Sequence, residues 1–469
     1  MRWILAWAVW GGLVILSGCV AKAPESAMNA VSDTAPGSWS ATRQAKSGVD
    51  VDWVKRFSDK ALSSMVDEAL NSNQDMSIAA ERVERAQVTA RIAGALAKPQ
   101  MSLTAQENRR KNRFIGFPFG GSVISESYGV DLTVDWEPDI WGGVRAGKSA
   151  AIAQWQAGGQ DYRAARASLA AQVCKAWFAL ADASEQVELA RQALEWRQKT
   201  ELAVRERYQR DMRDEGGTAA QLRLSQSDVA SAKADLAAKR GNLGSAQRQL
   251  ELLLGRYPAA KVSGLASLPP APASPPAGLP SELLLRRPDI LAAERRYAAT
   301  AKSIKEAKLA VFPSFKITGS SGTLTEFLSE IVNSDFGVWS FGVNMLQPIL
   351  TGGRVLGEIK IRESNQREAL AVLHKTVLNA FGEVEQALAN EYWLSRREKE
   401  IREARDLARD AAKSAEEDYR EGNGDVLTLF AALTRKIQLE SQYASLRRLR
   451  LVNRVDLHLA LGGGFKLAP

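Results

Sequence analysis

The length, composition and charge of the chain exclude several broad classes of protein. Its 469 residues would fill two or three ordinary domains, and 25% charged with 45% hydrophobic residues excludes a disordered chain and a helical membrane protein. The formal net charge of +8 suggests nucleic acid as a partner, but basic and acidic residues alternate along predicted helices, as in Arg397-Glu398-Lys399-Glu400. Such alternation is typical of a solvated helix face, so we predict no nucleic-acid partner.

Residues 1–18 predict the signal peptide of a bacterial lipoprotein. A single charge at Arg2 precedes an apolar run that is too short to span a bilayer. The run ends in Leu16-Ser17-Gly18-Cys19, which resembles a lipobox, so we expect Cys19 to carry a diacylglycerol with acyl chains such as palmitate. An ordinary signal peptide with an incidental cysteine is the alternative. Val20 stands where an Asp would retain such a lipoprotein at the inner membrane, which implies sorting to the outer membrane.

Helices are the first elements predicted after the polar N-terminal segment. Order should begin at Trp53 and Phe57. Helices are then predicted at about 60–70 and about 76–97, and Pro99 ends the second of them.

Two strands are predicted next, at about 100–108 and about 127–137, joined by a loop rich in Arg, Gly and Phe. In the second strand apolar residues alternate with polar ones, so Asp131 and Asp135 occupy the face opposite the apolar row. A Pro/Gly break then leads into a proline-free helical tract. This order of elements defines a first repeat that spans residues 19–257.

The helical tract at 144–257 has the apolar spacing of a coiled coil. The seam positions are Leu180, Ala183, Val187, Ala190 and Leu194 in the first arm, and Val229, Leu236, Leu243 and Leu250 in the second. Gly216-Gly217-Thr218 interrupts the spacing, so we predict a helical hairpin with its tip near residues 211–218. Its long arm of roughly 70 residues would reach about 100 Å, far more than a globular core needs. Within this arm Cys174 lies among apolar residues and is predicted to be buried.

The second half of the chain repeats the first. A proline-rich connector at 258–288 is predicted to be extended and semi-rigid, and a second repeat follows at 289–469. Its predicted elements are a helix at about 289–310, strands at about 314–321 and 336–347, and a helical hairpin at 354–462 with its tip near 419–425. The seam of this hairpin is predicted to consist of Ile401, Ala404, Ala408, Ala411 and Ala415.

The predicted strands have the dimensions of membrane-spanning strands. Each approaches the roughly 9–11 residues that cross a bilayer when tilted, and each has one apolar and one polar face. Four such strands cannot close into a barrel, and open edges in lipid would leave backbone groups unpaired. We therefore predict that the chain oligomerises to complete a transmembrane barrel, with Asp131 and Asp135 facing a watery lumen. A soluble sheet packed on one face is the alternative, but it would not require two long helical hairpins.

The sequence also carries the motifs of a known family. The most specific runs from Leu279 to Ile290 and contains Arg286-Arg287-Pro288-Asp289, with Ala293-Glu294 following. Weaker matches are Trp53, Phe57 and Leu62, Asn73-Gln74-Asp75, Ala79-Ala80-Glu81-Arg82, Trp141-Gly142-Gly143, Phe381-Gly382-Glu383-Val384-Glu385 and Leu461-Gly462-Gly463. Over essentially its whole mature length the chain resembles the TolC family of outer-membrane efflux factors, specifically the NodT-type lipoproteins.

This resemblance implies an α+β membrane protein in the outer membrane of a Gram-negative bacterium. It implies a homotrimer in which four strands per protomer form one twelve-stranded β-barrel, continued by a periplasmic barrel of helical hairpins. It also implies a passive exit duct that receives small molecules from a periplasmic adaptor protein and an inner-membrane transporter, with selectivity residing mainly in the transporter. The other implied partner is outer-membrane lipid, and no cofactor is implied besides the covalent lipid on Cys19.

The resemblance further implies a gate where the hairpin tips converge. Its candidate residues are Tyr208, Asp211, Tyr419, Gly422 and Asp425, with Val426 and Leu427 next to Asp425. Three Asp425 carboxylates, one per protomer, would form an acidic constriction. Both tips depart from the family, because Asn423-Gly424-Asp425 shifts the acidic residue and the first tip carries an acidic insertion. Alternatively, Asp425 is the N-cap of the helix that follows it.

No motif in the sequence predicts an enzyme. The two histidines, His374 and His458, each lie within a helical tract, without a Cys/His cluster, nucleophile elbow or phosphate-binding loop. We therefore expect no catalytic and no metal-binding residues. The competing hypothesis is a structural coiled-coil lipoprotein of the cell envelope that has no channel activity.

Overall fold

A computed structural model describes residues 36, 38–41, 53–113, 121–211, 219–264, 267–275, 277–278, 280–421 and 423–463 of the chain. Within these ranges the chain forms eight α-helices and four strands. The predicted signal peptide, Cys19 and Gly422 lie outside the described residues, as does the side chain of Asp211.

The first repeat contains four helices and one pair of strands. Its elements are α1 (Lys60–Ser72), α2 (Gln74–Ala95), β1 (Gln100–Arg113), β2 (Ser122–Trp136), α3 (Gly143–Asp211) and α4 (Ala219–Leu253). The Asp59 carboxylate accepts hydrogen bonds from the backbone N–H groups of Ala61 and Leu62 and so starts α1. The Asn73 side chain accepts from Asp75 N–H and starts α2 in the same way. With 69 residues at about 1.5 Å each, α3 is about 100 Å long.

The second repeat has the same order of long elements. After a short helix at the end of the connector, α5 (Pro280–Arg286), the repeat consists of α6 (Pro288–Leu309), β3 (Ser314–Thr325), β4 (Gly337–Leu346), α7 (Arg354–Arg420) and α8 (Val426–Ala460). The predicted α+β fold with an internal duplication is therefore confirmed. The connector, predicted to be extended, ends in one short helix, α5. Pro280 and Pro288 each stand at the first position of a helix, where the fixed φ of proline fits and its missing N–H costs nothing.

The four strands form one antiparallel sheet in the order β1-β2-β3-β4. β1 and β4 are its edges, and neither outer edge pairs with another described strand. The sequence predicted that β1 ends near residue 108 and that β2 begins near residue 127. Pairing in fact continues to Arg113 opposite Ser122, and β3 likewise continues to Thr325. The ends of β1 and β2 that are remote from the helices lack apolar alternation, so the sequence predicted a loop there. Alternation is expected only in the part of a strand whose one face is buried or in contact with lipid.

The long helices lie side by side and change neighbours along their length. Near the sheet, α3 packs between α2 and α6, and α7 packs on α6. Close approaches of Gly94 to Lys148 and of Gly147 to Glu306 mark these contacts at the start of α3. Farther from the sheet, α3 packs between α4 and α8, and α7 packs on α8. Each half of the length is thus a row of four helices.

A large buried cluster joins the short helical turn Trp53–Phe57 to α1, α3, α4 and α8. The rings of Phe57 and Phe178 lie 5.2 Å apart within it, and both side chains are buried. Cys174 is buried in the same cluster, as predicted, and desolvation raises the pKa of its thiol, so it is an unreactive core residue. A second cluster joins α6, α7 and α8 around Ile290, Phe381 and Leu457.

The predicted helical seams are partly correct. Ala190, Leu236, Leu250 and Ala408 are buried between helices. Ala411 was predicted to continue the seam of the second hairpin, but it is exposed and Ala412 is buried instead. The next residue of α7 that packs toward α8 after Ala408 is four positions later rather than three. Both spacings fit a helix with 3.6 residues per turn.

Candidate functional site

The sheet has one polar face, and Asp131 and Asp135 both lie on it. The register places Ser102 opposite Thr133, and their hydroxyl oxygens are 2.7 Å apart. Asp135 forms an ion pair with Lys316 of β3, with 2.9 Å between Oδ1 and Nζ. Further polar side chains of this face include those of Gln100, Thr104, Gln106, Thr318, Ser320, Ser340 and Asn344. Hydroxyl, amide and ionic groups therefore cover this face from edge to edge.

The opposite face of the sheet is apolar and uncovered. Its apolar side chains include those of Met101, Leu103, Val130, Leu132, Val134, Trp136, Phe315, Ile317, Trp339, Phe341, Val343 and Met345, and the hydroxyl groups of Ser321 and Thr323 lie among them. Trp339 is 80% exposed and Phe341 69% exposed, so no described part of the chain packs over β4. An apolar surface of this extent is stable only against another apolar phase. The face therefore requires a partner or a lipid environment.

Glycines make the turn from strand to helix in both repeats. Gly142 has φ +84° and Gly353 has φ +83°, values that residues with a Cβ rarely adopt. At the same level Trp141 stacks on Phe312 with 5.1 Å between ring centroids, and its indole N–H donates to the Pro313 carbonyl at 2.7 Å. The two repeats are thus joined directly where the strands become helices.

Asp139 fixes the direction of the first of these turns. Its carboxylate accepts hydrogen bonds from the backbone N–H groups of Val144 at 3.0 Å and Arg145 at 2.8 Å, and the Arg145 side chain adds an ion pair. Partial burial opposes ionisation, but these hydrogen bonds and the guanidinium lower the pKa of Asp139 below its ordinary value. Asp139 was not among the residues predicted from the sequence, although an Asp shortly before a helix start is a recognisable capping signal.

The signature around Arg287 proves to be a structural joint. The buried Arg287 guanidinium donates to both carboxylate oxygens of Asp289, to Glu383 at 2.7 Å and to the Ala460 carbonyl at 3.0 Å. Burial disfavours the charge, but the two carboxylates raise the pKa of Arg287 above its ordinary value. One side chain thereby holds together the start of α6, the middle of α7 and the end of α8.

At the end remote from the sheet, Tyr208 and Asp425 line one pocket of about 140 Å³ between α3, α4 and α8. The Asp425 side chain accepts a hydrogen bond from Leu427 N–H at 3.2 Å, so it is the N-cap of α8. Tyr419 packs elsewhere, against a small cluster that includes Ala412 and Leu429. The structure thus brings two of the candidate tip residues together and separates the third from them.

The same pocket contains charged residues that were not among the predicted tip residues. Arg197, Arg207 and Asp228 line it together with Tyr208. The α3 residues of the pocket, at positions 197, 200, 204, 207 and 208, share one helix face by their spacing. Their common face could therefore have been predicted from the sequence. The contribution of α4 could not, because it depends on how the two arms are aligned.

Comparison with known proteins relates the sheet and the long helices to one family. The sequence model of that family, described as outer membrane efflux protein, matches residues 65–256 and 279–463. The chain belongs to the outer membrane efflux protein family. Outer membrane protein OprJ of Pseudomonas aeruginosa is 31% identical over 441 residues, which cover 91% of this chain and 90% of OprJ. The probable outer membrane lipoprotein SilC of Salmonella typhimurium is 27% identical over 461 residues, 97% of either chain.

A solved structure agrees with this assignment to the outer membrane efflux protein family. The structure of the outer-membrane channel OprN has a TM-score of 0.81 and 26% identity, and the match covers 92% of this chain and 97% of OprN. The chain is therefore an outer-membrane protein with the fold of an outer-membrane channel.

Neither a membrane-spanning helix nor a metal-binding group of side chains occurs in the described part of the chain. No helix there combines the length and the apolar character needed to cross a membrane. No group of three or more His, Cys, Asp or Glu side chains in those ranges is arranged to hold a metal ion.

Proposed function

We propose that the chain is the outer-membrane exit duct of a tripartite efflux system, and that it passively conducts small molecules received from an inner-membrane transporter through a periplasmic adaptor. One observation carries this proposal: twice in the chain, a strand with an exposed apolar face turns at a glycine into a helix of about 100 Å. A wall suited to lipid thus continues directly into a wall suited to water. A coiled-coil spacer would need the helices but not the sheet.

The duct is a homotrimer. A sheet of four strands with two open edges cannot close around a pore, whereas three copies supply twelve strands, enough to enclose one. With the apolar face toward lipid, Asp131 and Asp135 line the lumen beside Lys316. The rows of four helices become a helical barrel by the same threefold repetition.

The hairpin tips form the gate and the contact with the adaptor. Tyr208 and Asp425 line one pocket at the tip, and three copies of Asp425 place like charges around the axis. Separation of the tips opens the duct. The diacylglycerol on Cys19 anchors the mature N-terminus in the membrane.

Purified full-length protein tests this function. Trimers are expected to persist in detergent, and planar bilayers containing them are expected to show small conductance that increases with Tyr419→Ala, because this substitution removes packing between α7 and α8 beside the tip. Tyr257→Ala is the matched control. Tyr257 is exposed and follows the end of α4 that is remote from the tip. This substitution should leave the conductance unchanged.

The spacer hypothesis predicts a different result. Monomers recovered from the soluble periplasmic fraction after normal maturation, without conductance in any variant, would refute the duct and favour the spacer.

A further inference from the structure

The two strand pairs carry opposite charge at the end of the sheet remote from the helices. β1 ends in a basic group consisting of Arg109, Arg110, Lys111 and Arg113. The connection from β3 to β4 carries Glu326, Glu330 and Asp335, and no Lys or Arg occurs between Lys316 and Arg354. One side of the sheet is therefore basic at this end, and the other side is acidic.

Several of these charges have no ion-pair partner among the described residues. Arg109 pairs with Glu126 across β1 and β2 at 2.9 Å, whereas Lys111, Arg113 and Asp335 are exposed and form no ion pair with another described residue. β1 and β4 lie at opposite edges of the sheet, so the two groups are separated by the full width of the sheet. In a closed ring of copies, however, β1 of one copy adjoins β4 of the next.

The stagger of the strands indicates which residues would meet. Gln100, the first residue of β1, aligns across the sheet with Asp135, Thr318 and Gly342. β4 continues four residues beyond Gly342, to Leu346. The strand ends nearest the helices are therefore shifted by four residues between β1 and β4. Continued around a barrel by roughly one more step of one or two residues, this stagger sets Gly337, the first residue of β4, opposite about Lys111 of the next copy. Asp335 lies two residues earlier, in the short helical turn Ser334–Phe336, and is therefore placed near Arg113 of that copy.

We propose that each seam between copies is closed at its outer end by ion pairs between the basic end of β1 and the acidic β3–β4 connection, with Arg113 and Asp335 as the central pair. This inference rests on the trimeric barrel proposed above and names the contacts that set its register. Opposite charges directly across antiparallel strands stabilise the pairing, and like charges there oppose it. The arrangement also prevents two β1 edges or two β4 edges from pairing with each other.

A phosphorylated glycolipid of the outer leaflet is the competing partner for the basic group. The arrangement of side chains argues against it. Arg109, Lys111 and Arg113 lie on the lipid side of β1, but Glu107 and Glu126 lie on the same side, and Arg110 points to the opposite side. A surface with interspersed carboxylates is poorly suited to a cluster of phosphates, whereas edge-to-edge pairing can use residues from both faces.

Cysteine cross-linking tests the seam directly. Cys174 is buried and Cys19 is the acylation site, so introduced cysteines are the reactive thiols of the mature chain. Arg113→Cys combined with Asp335→Cys is expected to give covalent trimers on a non-reducing gel after mild oxidation. Gln100→Cys combined with Asp335→Cys is the control, since Gln100 lies at the opposite end of the same edge strand, and this pair should remain uncross-linked.

Charge reversal provides an independent measurement on the intact trimer. Asp335→Arg or Arg113→Glu alone should lower the temperature at which detergent-stable trimers dissociate, and the two together should restore it. Stable trimers without cross-linking, and with a dissociation temperature that no reversal changes, would overturn the seam but leave the duct intact. Unchanged trimers that lose co-purified lipopolysaccharide in Arg113→Glu would overturn it in favour of the glycolipid. Absence of trimers in the unmodified protein would instead refute the proposed assembly.

Discussion

The helical core and the sheet differ in what completes them. Phe178 and Trp53 are fully buried by helices of the same chain, in a cluster that gathers elements from both repeats. Trp339 and Phe341 are equally large and apolar, but they stand exposed on a face that the chain does not cover. The chain therefore buries the apolar side chains of its helical core by itself, whereas the apolar face of the sheet needs contacts from outside the chain.

Charged residues show the same contrast. On α7 and α8, Arg450 and Arg454 both donate to the Glu391 carboxylate, at 3.0 Å and 2.6 Å, and Arg450 also binds Glu398. At the far end of the sheet, Arg113 and Asp335 are separated by the full width of the sheet. The helices thus pair these charges within the chain, whereas Arg113 and Asp335 have no ion-pair partner among the described residues, as the proposed contact between copies requires.

Removal of an aromatic ring from each region gives the largest expected difference. Phe178→Ala leaves a cavity against Phe57 and should lower the free energy of unfolding by about 4 kcal/mol. Phe341→Ala, the matched change on the sheet, should leave the unfolding of the helices unchanged and reduce the amount of protein recovered in the outer-membrane fraction. Circular dichroism in detergent and membrane fractionation measure the two effects. Equal destabilisation by both changes would mean that the folded chain packs the sheet face after all.

Disruption of the buried ionic network should have the next largest effect. Burial lowers the pKa of the Arg454 guanidinium below its ordinary value, and the Glu391 carboxylate partly offsets this effect. Glu391→Ala leaves this buried charge without its carboxylate and should lower the free energy of unfolding by about 3 kcal/mol. Chemical denaturation followed by helical circular dichroism is the measurement.

Glu188→Ala is the matched control for the ionic network. It breaks a solvent-exposed pair with Arg191 on α3 and should not shift the denaturation midpoint. A midpoint shift of the same size in both variants would show that the buried α7–α8 ion pairs stabilise the fold no more than the exposed Glu188–Arg191 pair does.

The sequence predicted local features of the fold well. Strand faces follow from alternation, so the positions of Asp131 and Asp135 opposite the apolar row could be read directly. Helix ends follow from Pro, Gly and capping residues within a few positions. The charged end of β1 was missed because Arg109 to Arg113 lack alternation, and the strand there is stabilised by pairing with β2 rather than by a buried face.

Long-range features could not be obtained from the sequence. Arg287 and Glu383 are 96 positions apart, and nothing in either segment indicates that they meet. The joint pocket of Tyr208 and Asp425 likewise depends on the alignment of three helices from two repeats. Ala412 rather than Ala411 faces α8 because the rotation of α7 is set by packing along its whole length.

At the tip, Asp425 has one role within the chain and a second, proposed role between copies of the chain. Its carboxylate caps α8 within the chain, and in the trimer it is also proposed to face two further copies of itself. Asp425→Ala removes both contributions and should lower the stability of the chain by about 1 kcal/mol while raising conductance. Asp425→Asn retains a capping oxygen but removes the charge, so its stability should remain close to that of the unmodified protein while its conductance rises as in the alanine variant. If planar-bilayer conductance changes in Asp425→Ala alone, the residue is a cap and the acidic ring plays no part in closure. If it rises in both variants, the gate depends on charge that only the assembled trimer brings together.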